Sequence, residues 1–291
     1  MLAFLAAAET ADDILRQDSF TTNDGVELRY VSAGTGKPIV FVHGWSHSAK
    51  VFIAQLTALR DRYRVFALDQ RGHGYSDKPA HGMRVSRLAV DLHEFLTHVD
   101  VHDAILVGHG MGAAVLWCYW DMFGAERIGK LVCVDQSPLA TANPNMTEDE
   151  MKLAGSNFDL RNLYSEMNGL SGINGGAVTE ALIRGMVSRR APRDLVTFIV
   201  SENFRLPRKQ AAQLLYDWAT CDWRDTIPRI TVPTLCIGAK ASPVPCESQT
   251  WIREHIPGAE LLLFEEAEGG SHFMFMENPQ KFNDAVAAFV G

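Results

Sequence analysis

The stretch Ile105-Leu-Val-Gly-His-Gly-Met-Gly-Ala-Ala-Val115 carries the most specific chemical signal in the chain. Its first residues are a short apolar run of the kind that forms a strand buried on both faces, and an apolar helical run follows at once. Between them Gly108 and Gly112 let the backbone turn sharply and let strand and helix approach. This is the context of a nucleophile elbow, G-x-S-x-G, whose central side chain is held in strained geometry at a helix N-terminus. The central residue here is Gly110, where that chemistry places a serine. The turn is shaped for nucleophilic attack on a carbonyl, and the hydroxyl is the part it lacks.

Around this turn the chain alternates between strands and helices. Extended pieces at 19–22 and 26–32 flank Asn23-Asp24-Gly25, a hairpin turn. Apolar runs of strand length then occur at 39–42, 65–68, 104–107, 131–134, 234–237 and 261–264. Helical patterns occupy 85–98, 111–123 and 278–290. Strands alternating with helices predict an α/β protein with a mostly parallel sheet flanked by helices. One stretch breaks the alternation: 138–226 holds no convincing buried strand. It is helical in pattern and rich in large apolar residues, including Met186, Trp218 and Trp223. The expected division is a core of 1–137 and 227–291 with a helical cap over 138–226.

Three further segments end strands where such a sheet would present them: Phe41-Val-His-Gly-Trp45, Asp69-Gln-Arg-Gly-His-Gly74 and Gly269-Gly-Ser-His272. With the elbow, their combined order resembles the α/β-hydrolase superfamily over nearly the whole chain. Gly108-His-Gly-Met-Gly112 is similar to that family's GHSMG elbow with glycine in place of serine. The resemblance implies an α/β-hydrolase fold with a triad: residue 110 as nucleophile position, His272 as general base, and an acid. The acid of this family usually follows the strand before the last, and that position is Ser242. Asp135, one strand earlier, offers the other known placement, and a carboxylate at a buried strand end needs a partner such as His272. Asp135 is favoured over Glu247; its bland alternative is a loop cap through Ser137. The oxyanion hole would be made by the backbone N–H groups of Trp45 and Met111.

The turn Gly44-Trp-Ser-His-Ser48 also resembles that of the cofactor-free quinolone dioxygenases, where a histidine contacts substrate. His47 is therefore a candidate for substrate binding, although a solvated loop histidine is the first reading of the residue itself. Trp218, Trp223 and Met186 are the candidate substrate contacts from the cap. His73, His81, His93, His98, His102 and His255 show no ligand spacing and read as surface or loop residues. His43 reads as structural, and Asp69 and Arg71 as ties between loops.

Composition narrows the partners. A chain of 291 residues buries roughly three quarters of its unfolded surface and needs no metal or disulfide staple. A hydrophobic share of 47% and a charged share of 21% argue against disorder. A net charge of -8 disfavours nucleic acid and anionic membrane surfaces. The five cysteines form no CxxC pair, which suits reduced thiols in a cytoplasmic protein and no zinc site. The apolar start, Met1 to Ala8, lacks a basic segment and reads as an amphipathic helix rather than a signal peptide. No run of 18 apolar residues is present, and no GxGxxG spacing or phosphate loop implies a cofactor. A homodimer is compatible with the sequence.

Glycine at position 110 leaves two readings. In the first it replaces a serine of the natural protein, and the reaction is hydrolysis of a small apolar carboxylic ester or lactone. In the second glycine is native, and the scaffold serves a cofactor-independent lyase or dioxygenase, or binds a ligand without turnover.

Overall fold

The computed structural model describes residues 15–291. The helix expected at Met1 to Ala8 lies outside them. Eight strands form one sheet: β1 (Arg16–Thr21), β2 (Glu27–Ala33), β3 (Lys37–Val42), β4 (Tyr63–Leu68), β5 (Ala104–His109), β6 (Ile128–Val134), β7 (Thr234–Ala239) and β8 (Glu260–Phe264). Their order is β1-β2-β4-β3-β5-β6-β7-β8. The β1–β2 and β2–β4 pairs are antiparallel, and every other pair is parallel. The β1–β2 hairpin closes through Gly25 at φ +82°. Each central strand is apolar because its side chains fill two cores in alternation. Val40 and Val42 face one core while Ile39 and Phe41 face the other; Leu131 and Cys133 alternate with Val132 and Val134 in the same way.

Helices α1 (Ile53–Leu59) and α11 (Pro279–Val290) cover one face, burying Ile53, Leu56, Phe282 and Val286. Helices α2 (Val85–His98), α3 (Met111–Phe123) and α9 (Cys246–His255) cover the other, burying Leu88, Phe95, Val115 and Ile252. A short helix α10 (Met274–Glu277) precedes α11. Helix α3 is buried from Met111 to Trp120, which explains its lack of a polar face.

Between β6 and β7 lie five helices: α4 (Glu148–Ala154), α5 (Leu160–Ser171), α6 (Gly175–Met186), α7 (Arg193–Asn203) and α8 (Arg208–Thr220). In this stretch the only β contacts among the described residues are isolated bridges, Leu139 to Asp222 and Thr141 to Phe158. The insert is pinned to the loops at the C-terminal ends of the strands. The Trp45 indole N–H donates to the Ala211 carbonyl at 2.9 Å, and the Ser46 hydroxyl donates to the Asn203 carbonyl at 2.9 Å. Arg208 donates to the Ser46 hydroxyl at 2.8 Å. The backbone N–H of His272 donates to the Met186 carbonyl at 3.1 Å. No helix of the described residues is long and apolar enough to cross a membrane.

Candidate active site

Gly110 is the hinge between β5 and α3. Its backbone stands at φ +51°, ψ −126°, a region that glycine enters without penalty and other residues only under strain. Gly108 and Gly112 are required by close approach. A Cβ on Gly108 would fall 2.6 Å from the Ala113 nitrogen, and one on Gly112 would fall 2.1 Å from the Val42 carbonyl oxygen. At Gly110 the space is open toward one group. A Cβ there would stand 3.3 Å from His272 Nε2, with no backbone atom nearer than Gly44 Cα at 3.8 Å.

His272 lies in the loop after β8, its side chain 12% exposed. Its Nδ1 is 2.6 Å from Asp135 Oδ2. A carboxylate on Nδ1 fixes the tautomer that keeps the proton there, so Nε2 carries the lone pair that faces position 110. Asp135 is fully buried at the end of β6, at φ +51°, and its N–H donates to the Ile237 carbonyl at 2.8 Å. Asp135 Oδ2 also accepts from the Ser242 hydroxyl. The residue at the commoner acid position is thus a second partner of the carboxylate. Glu247 is exposed in the first turn of α9. His109, the second residue of the elbow motif, supports His272 from behind: its Nε2 is 2.9 Å from the His272 carbonyl, and the two rings lie 4.3 Å apart.

Trp45 and Met111 are buried and line the cavity at Gly110. Among the described residues neither backbone N–H has an acceptor within the protein. The Met111 amide is the first of the α3 N-terminus, where unpaired donors and the helix dipole favour a negative charge. The same cavity is lined by His47, Met186, Trp218 and His272. Its remaining walls include Gln136, Phe158, Glu166 and Leu215, none of which the elbow, base or acid motifs point to. The Trp218 indole is held by Gln136 Oε1 at 3.2 Å.

Three expectations are corrected. Trp223 does not reach this cavity: it is 8% exposed and packs in the sheet-side core, where its backbone N–H donates to the Pro138 carbonyl at the root of the insert. His47 is not a solvated loop histidine. It is 3% exposed, packs edge-on to Phe273, and its Nδ1 is buried without a hydrogen-bond partner among the described residues. Burial holds its pKa well below the ordinary value, so it is neutral. His73 is also buried, accepting from the Ser46 N–H at 3.1 Å. The loop ties at Asp69 and Arg71 are present: Asp69 accepts from the Ala49 and Tyr75 amides, and Arg71 grips Asp91 and Asp24. Among the described residues no group of three or more His, Cys, Asp or Glu side chains is arranged to hold a metal ion.

Residues 37–279 match the family described as alpha/beta hydrolase fold. The chain belongs to that family. A relative, non-heme chloroperoxidase CPO-A1 of Kitasatospora aureofaciens, is 30% identical over 292 residues, covering 93% of this chain and 98% of its own. Among solved structures, the bromoperoxidase from Bacillus anthracis superposes with a TM-score of 0.86 at 24% identity, over 94% of this chain and 99% of that one. An esterase from Exiguobacterium antarcticum gives 0.85 at 23% identity, over 94% and 98%. The fold follows from these together.

Proposed function

We propose that this chain carries the site of a carboxylic-ester or lactone hydrolase whose nucleophile is a serine hydroxyl at position 110, and that Gly110 leaves the remaining machinery without it. The observation that supports this reading is His272: Nδ1 bound to Asp135, Nε2 facing the point where a Cβ at 110 would stand. In the serine form, Nε2 takes the hydroxyl proton as the oxygen attacks the carbonyl carbon. The amides of Trp45 and Met111 receive the developing oxyanion. The imidazolium, steadied by Asp135, returns the proton to the leaving alkoxide. Water repeats the sequence on the acyl-enzyme and frees the acid. In a lactone the leaving alkoxide stays on the same molecule.

The helical insert, 138–226, acts in this reading as a cap. Its Met186 and Trp218 supply apolar walls to the cavity, which suits an apolar acyl or alkoxy group. The glycine form binds the same substrate and forms no acyl-enzyme; residual turnover depends on a water activated by His272. A cytoplasmic location agrees with the five free cysteines.

The test is Gly110→Ser, with hydrolysis of p-nitrophenyl esters and of lactones read beside a melting curve. Turnover should rise by several orders of magnitude, since loss of a triad serine costs about 10⁶ in kcat. The melting temperature should fall slightly, because serine accepts backbone strain on the order of 1–3 kcal/mol. A folded serine form that is inert on every ester and lactone would sink the hydrolase reading in favour of a lyase, a dioxygenase or a ligand receptor.

A further inference from the structure

The cavity at Gly110 adjoins an outer chamber, an open groove of about 560 Å³ between α5 and α6. Asn157, Phe158, Glu166, Leu182, Met186 and Pro243 line both, so the two meet at these six, the neck of the path between them in the proposal below. The outer chamber is walled by small residues. Gly169, Ala181 and Gly185 face it, and a Cβ on Gly185 would meet no atom within 4 Å.

The charge around this path is one-sided. Among the described residues no lysine or arginine lines either chamber. Among the described residues the ionisable side chains that do are His47, Asp135, His272 and Glu166. Asp135 is engaged by His272 and Ser242. Glu166, half-buried on α5, has no hydrogen bond or ion pair among the described residues. A ligand reaching from Gly110 into the outer chamber runs beside this carboxylate, and no cationic side chain of the described residues lines the path to offset a second negative charge.

We propose that the outer chamber takes the tail of an elongated, uncharged ester or lactone, and that Glu166 at the neck excludes tails that end in an anion. The proposal rests on the hydrolase reading above and names its substrate class. Like charges brought together in a partly desolvated passage repel strongly, whereas an alkyl tail loses only its contact with water.

The experiment uses the Gly110→Ser form with two esters of similar length: p-nitrophenyl octanoate and the p-nitrophenyl monoester of octanedioic acid. The kcat/KM of the neutral ester should exceed that of the anionic one by about tenfold or more. Glu166→Gln should reduce that ratio by about threefold or more, and Glu166→Lys should reduce it further. Gly185→Leu, which adds bulk to the outer chamber, should lower the ratio of octanoate to acetate turnover. Each ratio is read within one variant, so a general loss of folding or catalysis cancels. A neutral-to-anionic ratio unchanged in both Glu166 variants overturns the charge filter. An octanoate-to-acetate ratio unchanged in Gly185→Leu overturns the tail chamber. If Gly110→Ser is inert even on p-nitrophenyl acetate, the hydrolase reading has failed, and the same two esters are titrated calorimetrically onto the glycine chain. Tighter binding of the neutral ester then upholds the filter, and equal binding overturns it.

Discussion

At position 135 a buried carboxylate stands in left-handed backbone, where aspartate is among the few side chains tolerated. Its Oδ2 meets both His272 Nδ1 and the Ser242 hydroxyl. From sequence the pairing with His272 was expected through the family resemblance: the commoner acid position holds serine, and a carboxylate at the end of a buried strand needs a partner for its charge. What sequence could not show is that Ser242 is itself a donor to that carboxylate, because a 107-residue separation hides the contact. In the serine-110 background, Asp135→Asn should cut turnover on the order of 10⁴-fold with the melting curve little changed, because the imidazole loses its orienting acceptor. Because the Ser242 hydroxyl already touches the shared oxygen, Asp135→Asn combined with Ser242→Asp should recover at least about tenfold of that loss. A double variant no faster than the single one would mean that the two strand ends cannot exchange the acid.

The β5–α3 turn is the element on which the site depends, and its glycines act by contact as well as by backbone freedom. Gly112 sits against the Val42 carbonyl at the end of β3, from which the chain runs on to Trp45. Gly112→Ala would push that strand end away from α3. Overpacking of this kind costs about 1–3 kcal/mol and should lower the melting temperature by about 5 °C. Turnover of the serine form should fall as well, since the Trp45 amide moves with the strand end. Gly185→Ala is the control: its Cβ enters open space on a helix, and stability should hold or rise slightly. Equal melting temperatures for the two variants would refute the contact argument. Pattern strength explains which elements could be read in advance. Helices α2 and α3 have the bounds that their apolar patterns predict, 85–98 and 111–123. Helix α9 was hidden because it buries Ser248 and Gln249 beside Ile252, and Gln249 is buried to hold the Gln136 carbonyl at 3.0 Å. Trp223 misled for a related reason, since a large aromatic in a helical insert looks the same whether it walls a cavity or roots the insert in the core.

Across the whole molecule, the loops beneath the insert are held by histidines that must stay neutral. His43 lies with Nδ1 against the Gly44 carbonyl at 2.8 Å and accepts the Gln70 N–H on Nε2 at 3.1 Å. His73 repeats the arrangement, with the Arg71 carbonyl at 2.8 Å and the Ser46 N–H at 3.1 Å. A second proton on either ring would remove the acceptor that orders its loop. Burial pushes His43 down to about 4, and holds His47, His73 and His109 well below the ordinary range. An unfolded chain binds protons at these rings below about pH 6.5 and the folded chain does not, so stability is lost as pH falls from there toward 4. His43 alone accounts for about 3 kcal/mol across that interval. Asp69 works in the opposite sense: burial pushes it up to about 6, so its folded form regains a proton first and offsets a similar amount on acidification. Burial raises Asp217 in the same sense, and two carboxyls against four histidines leave a net loss. The melting temperature of the glycine chain should therefore fall clearly between pH 7.5 and pH 5, and His73→Asn should make that slope shallower even if it lowers the plateau. A melting temperature that stays level or rises down to pH 5 would show that these rings take up protons without cost. The buried histidines would then not be what ties the loops to the insert, because Ser46, which accepts from Arg208 and donates to Asn203, is itself held by His73.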